Sequence, residues 1–295
     1  YSWTGPNGFI SSLQNPVISS AVLASAGTYT VTVQVNGCTS EPATVTTVVN
    51  PLPPAPVIGS NSPLCSGKDI LLTAGTISEA TYSWTGPNGF TSPLQNPIIS
   101  NVATNASGTY NVRTTVAGCT GPAASTSVIV NPIPAAPVLS SNGPLCEGAT
   151  LHLTTSTITG ATYAWSGPDG FSATVQNPSV SNPGTAASGA YSATVTVNGC
   201  TSPAGSVQVT IKPVPASPVL SGDNTVCEGS TISLNASTIT GATYAWSGPN
   251  GITSSLQTLT ILNTTPLHSG IYSVRATVDG CTSQAATSNI TITPL

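Results

Sequence analysis

Tyr82-Ser83-Trp84-Thr85-Gly86-Pro87-Asn88-Gly89 reads as a short strand running into a tight turn, and the chain carries this stretch four times, the last two copies with small changes such as Ala164, Ser166 and Asp169. Aromatics two residues apart put Tyr82 and Trp84 on one face of an extended segment. Pro87 presets φ for the turn, and Asn88 and Gly89 tolerate the positive φ that a chain reversal demands. The copies begin at Tyr1, Tyr82, Tyr163 and Tyr244, 81 residues apart each time. Outward from them, everything keeps the same interval: Trp3, Trp84, Trp165 and Trp246; Cys38, Cys119, Cys200 and Cys281; Cys65, Cys146 and Cys227; Pro51, Pro132, Pro213 and Pro294. No insertion or deletion interrupts the period. Self-similarity of this kind marks a tandem array. It divides into units at 51–131, 132–212 and 213–295, preceded by a part-unit at 1–50. The part-unit opens on a Tyr that falls about 31 residues into the other units. It is therefore expected to lack its first strands and to be completed by upstream sequence or by another chain.

Composition narrows the class. Charged residues make up 4% of the 295, and net charge is −4 with four Lys and Arg in all; an ordinary soluble protein carries about a quarter charged. There is no electrostatic footprint for nucleic acid or an anionic membrane. No apolar run approaches the roughly 18 residues of a membrane span, so membrane insertion is not expected. Gly, Pro and Ser are abundant enough to suggest disorder, but alternating apolar residues with a Trp and Tyr in every unit argue for packed cores.

One unit shows the pattern. Pro51-Leu52-Pro53-Pro54-Ala55-Pro56 is a stiff extended linker, because proline fixes φ and withholds a donor. A first strand is predicted to begin over 57–59. Cys65 then enters a turn toward 70–74, where Ile70, Leu72 and Ala74 share one face. After the strand at 81–84 and its hairpin, Gln95-Asn96-Pro97 starts a further extended segment. A long strand is predicted over 109–117, and the return 124–130 points Val128 and Val130 inward. No stretch has helical periodicity. Short strands with turn signals every 8–12 residues predict an all-β fold of tandem sandwich domains.

Here the residues carry a resemblance. Ser107-Gly108-Thr109-Tyr110 and Ser269-Gly270-Ile271-Tyr272 resemble the tyrosine corner of Ig domains, and the preceding Trp resembles the Ig core Trp. The whole unit is similar to the Ig-like and PKD-like repeats of giant Bacteroidota surface proteins, among them gliding adhesins and type IX secretion cargo. The resemblance implies tandem Ig-like β-sandwiches whose structural core includes Trp3, Trp84, Trp165 and Trp246 with Tyr29, Tyr110, Tyr191 and Tyr272. It also implies an extracellular or cell-surface location.

Periodic cysteines in such a setting point to disulfides. Two pairings stand open. One lies within units: Cys65–Cys119, Cys146–Cys200 and Cys227–Cys281. The Ig pattern speaks against it. The Ig core cystine sits two residues after the corner Tyr, where this chain has Val112, Ala193 or Val274, with Ala74, Thr155 or Ala236 as the opposite position. In an Ig topology the two actual cysteines lie at opposite poles, about nine residues of roughly 3.3 Å apart, and a disulfide needs Cα atoms within about 7 Å. Head-to-tail stacking would instead bring Cys65 to Cys200 and Cys146 to Cys281. That inter-domain pairing is preferred, with Cys38, Cys119 and Cys227 finding partners outside these residues.

Other candidates have bland readings. His152 lies between inward Leu151 and Leu153 and should face solvent. His268 stands where other units have Ser25, Ala106 or Ala187, with no carboxylate nearby in sequence. Neither makes an acid–base pair, so an enzyme is not expected. The eight acids are scattered, too few in any unit for a calcium site, and no Cys or His spacing suits zinc; no cofactor is expected. Lys68 and Lys212 are not equivalent, which removes a repeated isopeptide. Tyr82, Trp84 and Phe90 fit a core and a hairpin anchor better than a sugar platform, although surface glycans remain a possible partner class. The expectation is a structural repeat region of an extracellular filament or adhesin stalk, its partners neighbouring repeats or identical chains. Glycan- or surface-binding modules, and accessory repeats of a secreted enzyme, are the alternatives.

Overall fold

A computed structural model describes residues 1–294. They are all-β, joined by tight turns, and the only helical pieces among the described residues are three-residue 3-10 turns. The chain divides into two compact units, Tyr1–Ile133 and Pro134–Leu295.

In the first unit, residues 51–131 build two facing sheets. One holds Ile98–Ile99, Ile70–Ala74 and Ile58–Ser60 in that order, all antiparallel. The other runs Thr91–Ser92, Thr81–Thr85, Gly108–Val116 and then Ala124–Val128, with Cys119–Thr120 folded back on the far end of the long strand. Leu64–Cys65 pairs in parallel with Val130–Asn131. Cys65 thus belongs to a strand rather than a turn, and the return segment is split into two pieces serving different partners.

Side-chain alternation explains the core. Ile70, Leu72 and Ala74 point inward from one sheet and meet Trp84, Tyr110, Val112 and Val128 from the other. Val112 and Ala74, which stand where an Ig domain would place its cystine, are packed in this cluster. Tyr110 donates its hydroxyl to Ala106 O at 2.9 Å. The same bond four residues back is made by Tyr29 to Ser25 O, Tyr191 to Ala187 O and Tyr272 to His268 O, at 2.7 to 2.9 Å. Gly86, ahead of the hairpin, is extended with φ −167°. It is glycine because the Tyr110 ring lies where its Cβ would be. Phe90 closes over that ring edge-on at 5.7 Å. Asn88 and Gly89 take the positive φ of the reversal.

Residues 1–50 carry one sheet: Phe9–Ser11, Ser2–Gly5, Gly27–Thr32 and Ala43–Thr47 in that order. A small hairpin, Gln34–Val35 with Cys38–Thr39, extends from it. Tyr29 is buried, Trp3 is partly exposed, and Val45 is 51% exposed.

The second unit repeats the two-sheet arrangement twice, around Leu151, Leu153, Trp165 and Tyr191 and around Ile232, Leu234, Trp246 and Tyr272. In the last repeat the edge strand is longer, Thr258–Ile261, and the return is one continuous strand, Ala286–Thr293.

Candidate functional site at the repeat junction

The described residues that most need a functional account lie where one repeat hands over to the next in the second unit. Cys146 ends the strand Leu145–Cys146, which pairs in parallel with Ile211–Lys212. Cys281 opens Cys281–Thr282, turned back on Val278 by Asp279 and Gly280, both at positive φ. The two cysteines form a disulfide, S–S 2.02 Å and Cα–Cα 5.6 Å, across 135 residues of sequence.

Pairing within units is therefore not what this fold makes. Cys146 is bonded to Cys281, which rules out Cys146–Cys200 and Cys227–Cys281. Cys119 is a free thiol, which rules out Cys65–Cys119. The physical reason is visible in one sandwich. Lys212, the partner of Cys146, lies three residues past Val209, which pairs with Gly189 at the start of the strand Gly189–Val197. Cys200 pairs with Val197 at the finish of that strand. Nine residues of extended chain, about 3.3 Å each, keep the two ends far beyond disulfide reach. Cys65 and Cys200 each take part in a disulfide; Cys38, Cys119 and Cys227 are free, Cys38 and Cys227 being exposed.

Hydrogen bonds surround the staple. Lys212 Nζ donates to Asp279 O at 2.9 Å, reaching from the end of one repeat to the turn that carries Cys281. Ser217, in the linker, donates to Gln284 O at 3.0 Å. Glu147, next to Cys146, accepts from two directions: Thr185 N–H on Oε1 at 3.1 Å and the linker's Val214 N–H on Oε2 at 3.3 Å. A carboxylate holding two backbone amides fixes the linker's exit from the sandwich. The first unit uses equivalent positions with other side chains. Asn50 Nδ2 donates to Ala117 O at 3.4 Å, and Ile133 N–H donates to Ser66 Oγ at 3.3 Å.

Sequence reasoning does not single out Glu147 or Ser217, and it weighs Lys212 only for isopeptide chemistry. Their partners are backbone groups, which leave no mark in residue type. The histidines have local partners. His152 is exposed, its Nδ1 2.9 Å from Ser179 Oγ. His268 Nδ1 accepts the Thr265 N–H at 3.0 Å, capping the turn before the corner Tyr. What the junction does chemically is fasten: one covalent bond and several hydrogen bonds tie consecutive repeats. No helix among the described residues is long and apolar enough to cross a membrane.

Residues 215–294 match a family model described as an Ig-like domain, CHU_C associated. No curated protein matches the chain. Among solved structures, the N-terminal eight Ig domains of Down Syndrome Cell Adhesion Molecule are 14% identical, with a TM-score of 0.40, covering 100% of this chain and 45% of that one. Drosophila OTK extracellular domains 3–5 are 14% identical, with a TM-score of 0.35, covering 78% and 93%. Three N-terminal domains of the bacteriophage RB49 outer capsid protein Hoc are 14% identical, with a TM-score of 0.32, covering 82% and 99%. Likenesses this weak carry nothing about partners or activity. The paired sheets, the tyrosine corners and the family match over the last repeat describe tandem Ig-like β-sandwich domains.

Proposed function

We propose that this chain is a structural repeat region of an extracellular filament or adhesin stalk, in which each repeat is stapled to the next. The observation that carries it is the Cys146–Cys281 disulfide, which joins two successive repeats instead of bracing one. By the 81-residue period, the same staple one repeat earlier is Cys65–Cys200. Cys38, Cys119 and Cys227 then take partners from flanking repeats or from identical chains. Disulfides persist in oxidising compartments, and a surface of Thr, Ser, Asn and Gly with little charge responds weakly to salt. Both suit an exposed fibre. The resemblance to repeats of Bacteroidota surface proteins favours the same setting, with binding chemistry placed elsewhere than in these residues.

Peptide mapping of the natively produced protein, alkylated before digestion and run without reductant, tests this. Fragments joining Cys146 to Cys281 and Cys65 to Cys200 are expected. A Cys65–Cys119 fragment sinks the stapled array, and free thiols at Cys146 and Cys281 sink the extracellular reading.

A further inference from the structure

The last repeat departs from the two complete repeats before it along one edge, where three changes fall together. Leu259 stands in place of Pro97 and Pro178, Leu262 in place of Ser100 and Ser181, and Ile252 in place of Phe90 and Phe171. Phe90 and Phe171 lie edge-on against Tyr110 and Tyr191, at 5.7 and 5.3 Å. Beside the smaller Ile252, the side of the sandwich holds a groove of about 460 Å³, whose lining includes Leu256, Leu259, Ile261 and Leu262. Leu256 and Leu262 are each 69% exposed.

With no proline in the way, Thr258–Ile261 forms a strand at the rim of its sheet. Its inner side is occupied. Ala236 N–H donates to Gln257 O, and Leu234 stands opposite Leu259. Alternation along an antiparallel ladder then turns the N–H and C=O of Thr258 and Thr260 outward. No strand pairs with that outer side among the described residues. Prolines and charges are the usual guards of such an edge, and this strand has neither. No Asp, Glu, Lys or Arg occurs between Glu228 and Arg275. That absence matters most for self-association, because a contact across a two-fold axis sets each residue against its own copy or a near neighbour. A charge there would meet its like.

We propose that this edge is a pairing surface for a second copy of the chain, the two Thr258–Ile261 strands joining antiparallel about a two-fold axis at Leu259. In that register Thr258 of one copy lies opposite Thr260 of the other, so their outward amides and carbonyls satisfy each other. The threonines pair across strands on the outer face. Leu262 of each copy is carried to Leu256 of the other, which covers the exposed leucines at both grooves. A slip of one residue would set Thr258 against Leu259, whose amide is turned into its own sheet, so the register is specified. This contact joins chains side by side, whereas the staples join repeats along one chain, and neither depends on the other.

The test uses the full chain with Cys38, Cys119 and Cys227 alkylated, so that chains cannot be linked through these thiols. Sedimentation equilibrium over a concentration series is expected to show monomer passing to dimer. Amide exchange at Thr258 and Thr260 should slow as dimer forms, while that at Leu234 and Ala236 stays constant. Thr260→Pro removes an outward amide and no bond within its own sheet. It should weaken association at least about tenfold, since each copy loses a bond, with a urea midpoint close to that of the parent chain. Leu256→Lys and Leu262→Glu should each weaken pairing alone and recover it when the two variants are mixed, because the mixed pair brings opposite charges together. A chain that stays monomeric up to about 1 mM, a dimer unmoved by Thr260→Pro, or a mixture no tighter than either variant alone overturns the proposal.

Discussion

Four corner tyrosines each close a loop by donating a hydroxyl to the carbonyl four residues earlier, and each lays its ring against a glycine. Both halves of this arrangement make predictions. Tyr272→Phe removes the bond to His268 O, leaving a half-buried carbonyl short of a partner, and should cost about 1–2 kcal/mol in urea denaturation. Gly248→Ala should cost more, because a Cβ there would lie 2.5 Å from Tyr272 Cδ1; the ring must leave its rotamer or the strand must shift. A denaturation midpoint equal to that of the parent chain would contradict this. Burial pushes the phenols of Tyr110, Tyr191 and Tyr272 up from the usual 10.0, with Asp169 adding a smaller push at Tyr191. The folded state then keeps a proton that the unfolded chain releases. Stability is whole below about pH 10 and is lost as pH rises through the raised folded values. With the free thiols blocked, the urea midpoint should fall as pH rises above about 10, and tyrosinate absorbance should rise in step with unfolding. Absorbance that titrated fully at about 10 in the folded protein would refute the burial account. The Tyr is readable from its Ser-Gly-x-Tyr context. Gly86 and Gly248 pass for turn residues in the sequence, whereas their backbone is extended and the ring is the reason for glycine.

Among the elements, the edge strand shows what one residue decides. Pro97 and Pro178 cannot donate to a ladder, and the strands after them are two residues long, Ile98–Ile99 and Ser179–Val180. Asn96 and Asn177 stand in, their side-chain oxygens taking the amides of Ala74 and Thr155. In the last repeat Leu259 replaces the proline. The amide of Ala236 then bonds Gln257 O directly, and Thr258–Ile261 pairs along its whole length, from Asn235↔Thr258 to Ile232↔Ile261. Leu259→Pro should shorten that strand and uncover core, costing about 2–4 kcal/mol from a lost ladder bond and a lost buried leucine. Faster exchange at the Leu234 and Ala236 amides, which face this strand, would report it; unchanged exchange would show that the strand does not depend on residue 259. The strands and hairpins are legible because alternation and Pro-Asn-Gly turns are local signals. The hold of Gln95 and Asn96 on the backbone of Ala74 is not, since the C=O and N–H they bond lie about 20 residues away and ask for no particular residue type.

For the whole molecule, the legible part is the period. It locates every repeat from a handful of Trp, Cys and Pro positions. The junction is legible only in its cysteines. Glu147, Lys212 and Ser217 differ in type from Ser66, Asn131 and Ala136, their counterparts one repeat earlier, because they serve backbone groups that ask for no particular partner. The staple gives a prediction at this scale. Pulled by its ends, the oxidised chain cannot lengthen between Cys146 and Cys281 beyond their Cα–Cα distance of 5.6 Å, although 135 residues separate them. In a chain carrying Cys65→Ser and Cys200→Ser, so that this staple acts alone, reduction should release about 450 Å of hidden length at roughly 3.3–3.6 Å per residue. Single-molecule extension measures it, and equal contour lengths with and without reductant would show that the bond bears no load.

The same bond changes what a single break can do. Residues 146 to 281 form a closed ring with the rest of the chain attached at the two points where the ring is sealed. A protease that severs any one peptide bond inside that ring opens it into a line, yet both ends stay joined through sulfur. Two cuts on the ring also leave the ends connected, losing at most the piece between them. Damage that would part an ordinary string of domains is reduced here to a local scar, and only an attack on the sulfurs themselves restores the weakness of a single thread.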